Sequence, residues 1–179
     1  MLIQCDLGNR KSTAETLAEI SKKYKVNAIV NNVGIAIPEP IESLSLDSLD
    51  MVYDLNVRVA TQTCQAFVPQ MKHSNYGRIV NVTSRAIFGA KNRTSYAAAK
   101  SAMIGCTKTW ALELAHYGIT VNAIAPGPIE TELFRKSRPV GSNQEKEIIA
   151  TIPMKRIGTA KEIAQGIEFL LYNWTNIMY

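Results

Sequence analysis

The stretch Ser84-Arg-Ala-Ile-Phe-Gly-Ala-Lys-Asn-Arg-Thr-Ser-Tyr96-Ala-Ala-Ala-Lys100 places a hydroxyl group after one apolar run and a Tyr-x-x-x-Lys pattern at the start of a helix-like run. Residues four apart share one face of a helix, so Tyr96 and Lys100 are predicted to be neighbours. A phenol ordinarily loses its proton near pH ~10, and an ammonium group close by favours the phenolate. The stretch therefore suits proton transfer to an oxygen atom, although a helix whose Tyr and Lys serve only packing and solubility has the same pattern.

The composition is that of one globular domain with a hydrophobic core. The 179 residues are 46% hydrophobic and 20% charged. The net charge of +5 is dispersed, which does not favour nucleic-acid binding. Cys5, Cys64 and Cys106 are too far apart for a metal site or a disulfide framework. The acid at Asp6 argues against a secretory leader, and no apolar run is long enough to span a membrane, so we expect a cytoplasmic protein without a metal or membrane partner.

Apolar runs alternate with helical patterns along the chain. The runs cover residues 2–5, 26–30, 78–84 and 119–125, and the helical patterns lie at about 12–23, 47–71, 95–117 and 159–171. This alternation predicts an α/β fold with a parallel sheet and right-handed crossovers. Ser12 and Thr159 each open a predicted capping box, and Ser45 or Asp47 is predicted to cap the second helix.

Polar or glycine-containing segments follow every predicted strand. They are Asp6, residues 31–34, residues 83–84 and residues 126–127. Ligands of open parallel sheets bind at the carboxyl ends of the strands, so these segments are predicted to form one rim of a site. Asn56 lies within a predicted helix, where Asn is disfavoured. It is either an exposed surface residue or part of a kink that frees its amide for the site.

Six motifs occur together in an order that is specific to one family. They are Asp6-Leu7, Asn31-Asn32-Val33-Gly34, Asn56, Ile79-Val-Asn-Val-Thr-Ser84, Tyr96-Ala-Ala-Ala-Lys100 and Pro126-Gly127-Pro-Ile-Glu-Thr131. From residue 1 to about 171 the chain resembles the short-chain dehydrogenases/reductases, most closely the 3-oxoacyl-(acyl-carrier-protein) reductase-like group. The resemblance implies a single, incomplete Rossmann-type oxidoreductase domain over residues 1–179, with a parallel sheet and helices on both faces. It also implies NAD(P)-dependent interconversion of a carbonyl and a secondary alcohol by hydride transfer.

The resemblance assigns four catalytic residues. Tyr96 would be the general acid/base, and Lys100 would favour its phenolate and bind the nicotinamide ribose. Ser84 would hydrogen-bond the substrate oxygen, and Asn56 would hold a water that links Lys100 to a proton relay.

The resemblance also assigns the contacts with NADP or NAD. The expected cofactor-binding residues are Asp6, Leu7, Asn32, Val33, Gly34, Tyr96, Lys100, Pro126, Gly127, Ile129 and Thr131. Val33 stands where the family usually has Ala. Residues 134–150 would form a lid over a small carbonyl or alcohol substrate, free or attached to a carrier.

Some of the family's features are absent from this sequence. The family begins with a strand, a glycine-rich turn and a helix that hold the diphosphate, and no such glycine cluster occurs here. In the family's strand order 3-2-1-4-5-6-7, the first two strands and the last are missing, as is the segment that selects NAD or NADP. The tail after Leu171 matches nothing in the family. Residues 26–30 would then form an exposed apolar edge, so we expect this chain alone to be poorly stable, rearranged or paired with another chain.

An alternative hypothesis is an inactive fragment or pseudoenzyme of this family that acts by protein association. Residues 47–71 and 95–117 carry wide apolar surfaces, which in the family form a homo-oligomer interface. The candidate interface residues are Val57, Ala60, Thr61, Cys64, Met103, Thr107 and Trp110, unless they face the sheet instead. A nucleic-acid or membrane binder is less favoured than either hypothesis.

Overall fold

Three parallel strands form the central sheet of the chain. The computed structural model describes residues 2–172, apart from the side chain of Leu133, so the predicted tail at 173–179 lies outside the described residues. The sheet order is β1-β2-β3, with β1 at Ala28–Asn31, β2 at Gly77–Val82 and β3 at Ile119–Ile124. Two short strands, β4 (Ile129–Glu130) and β5 (Gly158–Thr159), pair separately and also in parallel. The predicted parallel α/β architecture is confirmed.

The helices alternate with the strands as predicted. They are α1 (Arg10–Lys23), α2 (Leu46–Tyr53), α3 (Val59–Ser74), α4 (Thr94–Leu114), α5 (Glu132–Ser137), α6 (Asn143–Ala150) and α7 (Ala160–Leu171). A π-helical turn, Asp54–Arg58, joins α2 to α3, and 3₁₀ turns lie at Ile41–Ser43, Arg85–Phe88 and Ala115–Tyr117. Residues 134–150, the predicted lid, therefore contain α6 and the end of α5.

Helix capping follows the predicted chemistry at two of three positions. Ser45 caps α2 by accepting a hydrogen bond from the backbone of Ser48, and Thr159 caps α7 in a complete capping box with Glu162. The prediction for Ser12 is wrong. The side chain of Asn9 accepts a hydrogen bond from the Ser12 amide, so α1 begins earlier and Ser12 lies in its first turn.

The core lies on one face of the central sheet. Ile29, Ile79 and Val121 are in register across the three strands, and each is at most 5% exposed. Side chains from α1, α3 and α4 cover this face, including Leu17, Phe67 and Leu114. Helix α7 contacts the other face, where Gly166 lies against Ile124 of β3. Helices on both faces are therefore present, as predicted.

The predicted strand at residues 2–5 does not form. Leu2 is 96% exposed and Ile3 is 43% exposed, and neither residue belongs to a sheet. A strand needs a neighbour for its backbone N–H and C=O groups, and this segment has none among the described residues. β1 is consequently the edge of the sheet, and Val30 on it is 40% exposed. The predicted apolar edge is confirmed.

Most of the candidate interface side chains are buried within the chain. Val57, Ala60 and Met103 pack in one cluster between the π turn, α3 and α4, and Cys64 and Thr107 are 7% exposed. Only Thr61 and Trp110 are half-buried. The structure thus favours the alternative for the five buried residues, because α3 and α4 use them to pack against each other and the sheet.

Residues 2–172 lack two features that would bear on function. No helix in this part of the chain is long and apolar enough to cross a membrane. It also holds no group of three or more His, Cys, Asp or Glu side chains able to bind a metal ion.

Candidate active site

Helix α4 carries Tyr96 and Lys100 on one face near its first turns. The run of alanines between them favours the helix, and the ammonium of Lys100 lies 5.7 Å from the centre of the Tyr96 ring. Lys100 Nζ donates a 2.8 Å hydrogen bond to the main-chain oxygen of Val82, at the end of β2. Burial lowers the pKa of Lys100 to about 8, and its side chain is nearly inaccessible. The predicted pair is thus formed and fixed to the sheet.

Asn56 occupies the middle of the π turn. Its Nδ2 donates to the main-chain oxygens of Val52 at 2.7 Å and Ile35 at 2.9 Å. Its Oδ1 is buried and accepts no hydrogen bond from the described residues. A π turn inside a helix commonly marks a functional site. Asn56 is 2% exposed, so the surface-residue interpretation is wrong, and the π turn is the kink that the other interpretation required. A role of its amide in the site stays a prediction.

The lack of a side chain at Gly34 lets Asn56 and Lys100 both lie close to its backbone. A Cβ atom at Gly34 would clash with Asn56 Oδ1 and lie 3.2 Å from Lys100 Nζ. Both polar atoms therefore border the same small space at the end of β1. An unpaired amide oxygen and an ammonium group around one space are suited to a shared polar ligand such as a bridging water.

Ser84 follows β2 and is held beside the segment after β3. Its Oγ accepts a 3.2 Å hydrogen bond from the backbone of Ala86, which caps the 3₁₀ turn. The backbone of Arg85 donates to the main-chain oxygen of Pro126 at 2.9 Å. This hydrogen bond brings Pro126 and Gly127 to the same rim of the sheet as Ser84. Ser84 lies two residues beyond Val82, whose carbonyl accepts the hydrogen bond from Lys100.

A cleft of about 110 Å³ lies at the carboxyl end of β1. Its lining residues are Leu7, Val30, Asn31, Asn32, Val33, Leu55, Val59, Ala60 and Thr63. The predicted residues Leu7, Asn32 and Val33 are thus brought together. Asp6 lies at the surface, where its carboxylate accepts a 2.9 Å hydrogen bond from the Gly8 amide.

Ile129 and Thr131 have structural contacts of their own. Ile129 pairs with Gly158 between β4 and β5, and the Thr131 hydroxyl accepts a 3.1 Å hydrogen bond from the Phe134 amide to cap α5. Within the described part of the chain, no hydrogen bond joins either side chain to Tyr96 or Lys100. The contacts described for Asp6, Ile129 and Thr131 are thus local ones, and their role in cofactor binding stays a prediction.

The larger pocket lies elsewhere. It has a volume of about 410 Å³ and is lined by Ala164, Ile167, Glu168, Leu171 and Tyr172 on α7. It contains none of the predicted site residues. The smaller cleft by β1 is the better candidate, because it adjoins the polar groups around Gly34.

Sequence reasoning missed an ion-pair network beside this cleft. Arg58 Nη2 donates a 2.6 Å hydrogen bond to the main-chain oxygen of Leu7 and pairs with Asp54 at 2.5 Å. Opposite charges four residues apart in a predicted helix were a visible signal for the Asp54–Arg58 pair. No local pattern indicates the contact with Leu7, which lies 51 residues away.

Comparison with known proteins identifies the family of this chain. The family model described as enoyl-(acyl-carrier-protein) reductase matches residues 1–179. The 3-oxoacyl-(acyl-carrier-protein) reductase FabG of Thermotoga maritima is 37% identical over 164 residues, covering 90% of this chain and 65% of that protein. FabG of Buchnera aphidicola is 36% identical over 167 residues, covering 92% and 67%. The chain belongs to the short-chain dehydrogenase/reductase family. It is close to the family's 3-oxoacyl-(acyl-carrier-protein) reductases and spans about two thirds of the length of these two relatives.

Solved structures of short-chain dehydrogenases/reductases share the fold. A Beutenbergia cavernae protein assigned as an NAD(P)-dependent gluconate 5-dehydrogenase, solved with NADP, superposes with a TM-score of 0.91 at 31% identity. The match covers 97% of this chain and 70% of that one. ElxO, solved with NADP, gives a TM-score of 0.92 at 29% identity and covers 99% and 73%. The family resemblance seen in the sequence is confirmed.

Proposed function

We propose that this chain carries the proton-transfer site of an NAD(P)-dependent oxidoreductase that interconverts a carbonyl and a secondary alcohol. One observation supports this most strongly. The buried ammonium of Lys100 is held between the Tyr96 ring and the end of β2, and the unpaired Oδ1 of Asn56 lies across the Gly34 space. Packing alone does not explain a buried cation with a lowered pKa beside a buried, unsatisfied amide oxygen.

The proposed roles follow from these positions. In the reductive direction the Tyr96 hydroxyl donates a proton to the substrate oxygen, and the Lys100 ammonium stabilises the phenolate that remains. The Ser84 hydroxyl donates a hydrogen bond to the same substrate oxygen as negative charge develops there. Asn56 Oδ1 accepts a hydrogen bond from a water that also contacts Lys100, which gives the phenolate a path for regaining its proton. The nicotinamide, when bound, supplies or accepts the hydride.

The residues present fit the nicotinamide-ribose end of such a cofactor. Lys100 and Tyr96 supply the polar groups. Gly34 has no side chain that would clash with Asn56 or crowd Lys100. The adenosine end would use the cleft lined by Leu7, Asn32 and Val33. A glycine-rich turn for a diphosphate is not among these 179 residues. The similarity of the chain to structures solved with NADP supports NADP or NAD as its cofactor, with no preference for either.

The substrate class is proposed from the FabG relatives. We propose a small 3-oxoacyl compound, free or attached to a carrier, in a cytoplasmic, homo-oligomeric enzyme of fatty acid synthesis. The oligomer would form through the exposed parts of residues 47–71 and 95–117, where Leu112 is 78% exposed on α4.

The exposed sheet edge favours a second candidate function. A non-catalytic fragment or pseudoenzyme would act by association through β1, where an apolar strand edge has no neighbour among the described residues. Such a chain would bind no dinucleotide even though Tyr96 and Lys100 are in place.

Cofactor titration separates the two candidates. Purified chain is titrated with NADH and with NADPH while the nicotinamide fluorescence is followed, and calorimetry checks the stoichiometry. The oxidoreductase proposal expects saturable binding with a dissociation constant no weaker than on the order of 1 mM, the upper end of ordinary substrate affinities. Turnover of a short 3-oxoacyl thioester should accompany binding. Absence of binding at that concentration would favour the non-catalytic candidate.

A further inference from the structure

A bridge of ionic hydrogen bonds connects the π turn with the segment before α1. The two carboxylate oxygens of Asp54 bind different arginines. Oδ1 accepts from Arg10 Nη2 at 2.7 Å, and Oδ2 accepts from Arg58 Nη2 at 2.5 Å and from Arg58 Nε at 3.1 Å. Gln62 closes the bridge from α3, since its Oε1 accepts from Arg58 and its Nε2 donates to the main-chain oxygen of Arg10.

Arg58 extends this bridge to the predicted adenosine end of the site. Its Nη2 donates a 2.6 Å hydrogen bond to the Leu7 carbonyl, and Leu7 lines the cleft at the end of β1. Residues 2–9 have no sheet neighbour among the described residues, so few contacts fix them. The buried Thr13 hydroxyl of α1 donates to the Asn9 carbonyl at 2.8 Å and to the Leu7 carbonyl at 3.4 Å. The hydrogen bond from Arg58 is the shorter of the two that Leu7 accepts, and it is the charged one.

The same bridge encloses Asn56. Asp54 and Arg58 are the first and last residues of the π turn, and their side chains pair across it. The Val59 amide donates to the Asp54 carbonyl and so closes the π turn, in which Asn56 is buried. A π turn is rare and needs stabilisation beyond helix propensity. The side chains of Asp54 and Arg58 are 21% and 15% exposed, so solvent screens their pairing less than that of a surface pair.

We propose that Asp54 and Arg58 are positioning residues that set both ends of the dinucleotide site together, Asn56 at the proton-relay end and Leu7 at the adenosine end. This inference rests on the proposed function for its consequence in cofactor binding, but its structural part concerns the free protein. Arg58 acts through Asn56 and through the Leu7 backbone. Its guanidinium fork suits this task because a single group can bind a carboxylate, an amide and a carbonyl at once.

The bridge favours the ionised form of Asp54. The hydrogen bond from Arg58, opposed in part by burial and aided by Arg10, lowers the pKa of the Asp54 carboxyl. The carboxylate therefore stays ionised, and the bridge intact, throughout the neutral pH range.

Hydrogen exchange in the free protein tests the structural part. In Arg58→Met the amides of Gly8 and Asn9, which bond to Asp6, and the amide of Val59, which closes the π turn, should all exchange faster. Loss of a charge-assisted hydrogen bond corresponds to an increase on the order of ten-fold. Arg156→Met is the matched control, because it removes the Arg156–Glu162 pair near α7 and should leave these three amides unchanged.

Arg58→Lys distinguishes the contact of Arg58 with Asp54 from its contact with Leu7. Lysine keeps the charge that pairs with Asp54, but its ammonium ends one bond short of Arg58 Nη2, the atom that contacts both the carboxylate and the Leu7 carbonyl. Val59 should therefore keep its protection in Arg58→Lys, whereas Gly8 and Asn9 should lose theirs. A purely local helix pair would leave Gly8 and Asn9 unchanged in both variants, and that result would overturn the inference.

Cofactor binding tests the functional part. The dissociation constant of NADPH, measured by fluorescence titration, should rise on the order of ten-fold in Arg58→Met, less in Arg58→Lys, and not in Arg156→Met. If the wild-type chain binds no NADPH, the proposed function fails while the exchange result still decides the bridge. If all three variants bind NADPH as the wild type does, the positioning role is overturned, even if the amide exchange rates change.

Discussion

Lys100 Nζ donates a hydrogen bond to the main-chain oxygen of Val82. This contact fastens the first turns of α4 to the carboxyl end of β2, two residues before Ser84. It satisfies one of the three donors of a buried ammonium that lies close to Gly34, as Asn56 Oδ1 also does. Neither α4 nor the sheet could hold a cation there alone, so the site depends on their packing.

The burial of Lys100 predicts a distinctive dependence of stability on pH. Its pKa is about 8 in the folded chain, against an ordinary value of 10.5. Between these values the unfolded chain binds more protons than the folded chain, so the free energy of unfolding rises with pH. The penalty for charging Lys100, on the order of 3 kcal/mol, is present below pH ~8 and is gone above pH ~10.5.

Urea unfolding of the wild type and of Lys100→Met, measured across this pH range, isolates that contribution. Met cannot titrate and fills a similar volume, so the stability advantage of Lys100→Met should shrink as the pH rises from 8 to 10.5. A difference between the two proteins that stays constant with pH would show that burial does not lower the pKa of Lys100.

Gly34 is predicted to be intolerant of any side chain. In Gly34→Ala the new methyl group clashes with Asn56 Oδ1 and crowds Lys100 Nζ, so Asn56 must leave its two carbonyl partners. We expect a loss of about 1–3 kcal/mol in the free energy of unfolding, as in other overpacked sites. Thermal unfolding and turnover measure the two consequences, and the proposed kcat should fall at least ~ten-fold because a relay group is misplaced.

Gly105→Ala provides the matched control for this substitution. Gly105 lies within α4, and a Cβ atom there would meet nothing within 4 Å. Alanine should stabilise the helix by about 0.5–1 kcal/mol and leave turnover unchanged. Equal effects of Gly34→Ala and Gly105→Ala on stability would contradict the packing described around Asn56.

The open edge at β1 predicts self-association that depends on protein concentration. Ala28→Glu places a charge on this edge strand, opposite Arg78 in the register of β1 and β2. Charged edge residues discourage pairing with another strand, so sedimentation velocity should find less associated material in this variant. Ala18→Glu adds the same charge on the exposed side of α1 and should not change association. A wild-type chain that remains monomeric and unfolds cooperatively at every concentration would refute this prediction.

Local sequence patterns predicted the three strands of the central sheet and the proximity of Tyr96 and Lys100. The spacing of Tyr96 and Lys100 was sufficient because both lie on one regular helix, and the unfavourable position of Asn56 indicated a kink, which the π turn supplies. The strand at residues 2–5 was predicted wrongly, since an apolar run cannot indicate whether a neighbouring strand exists. The Arg58–Leu7 hydrogen bond was not predictable either, because it joins residues that only the tertiary fold brings together.

The central claim is that Tyr96 transfers the proton, and one comparison tests it most directly. Tyr96→Phe keeps the ring and removes only the hydroxyl, so NADPH should bind as it does to the wild type. Under saturating NADPH, kcat for reduction of a short 3-oxoacyl thioester should fall by about 10²–10⁴-fold, the usual contribution of general acid catalysis. Reduction by Tyr96→Phe at the wild-type rate would contradict the claim.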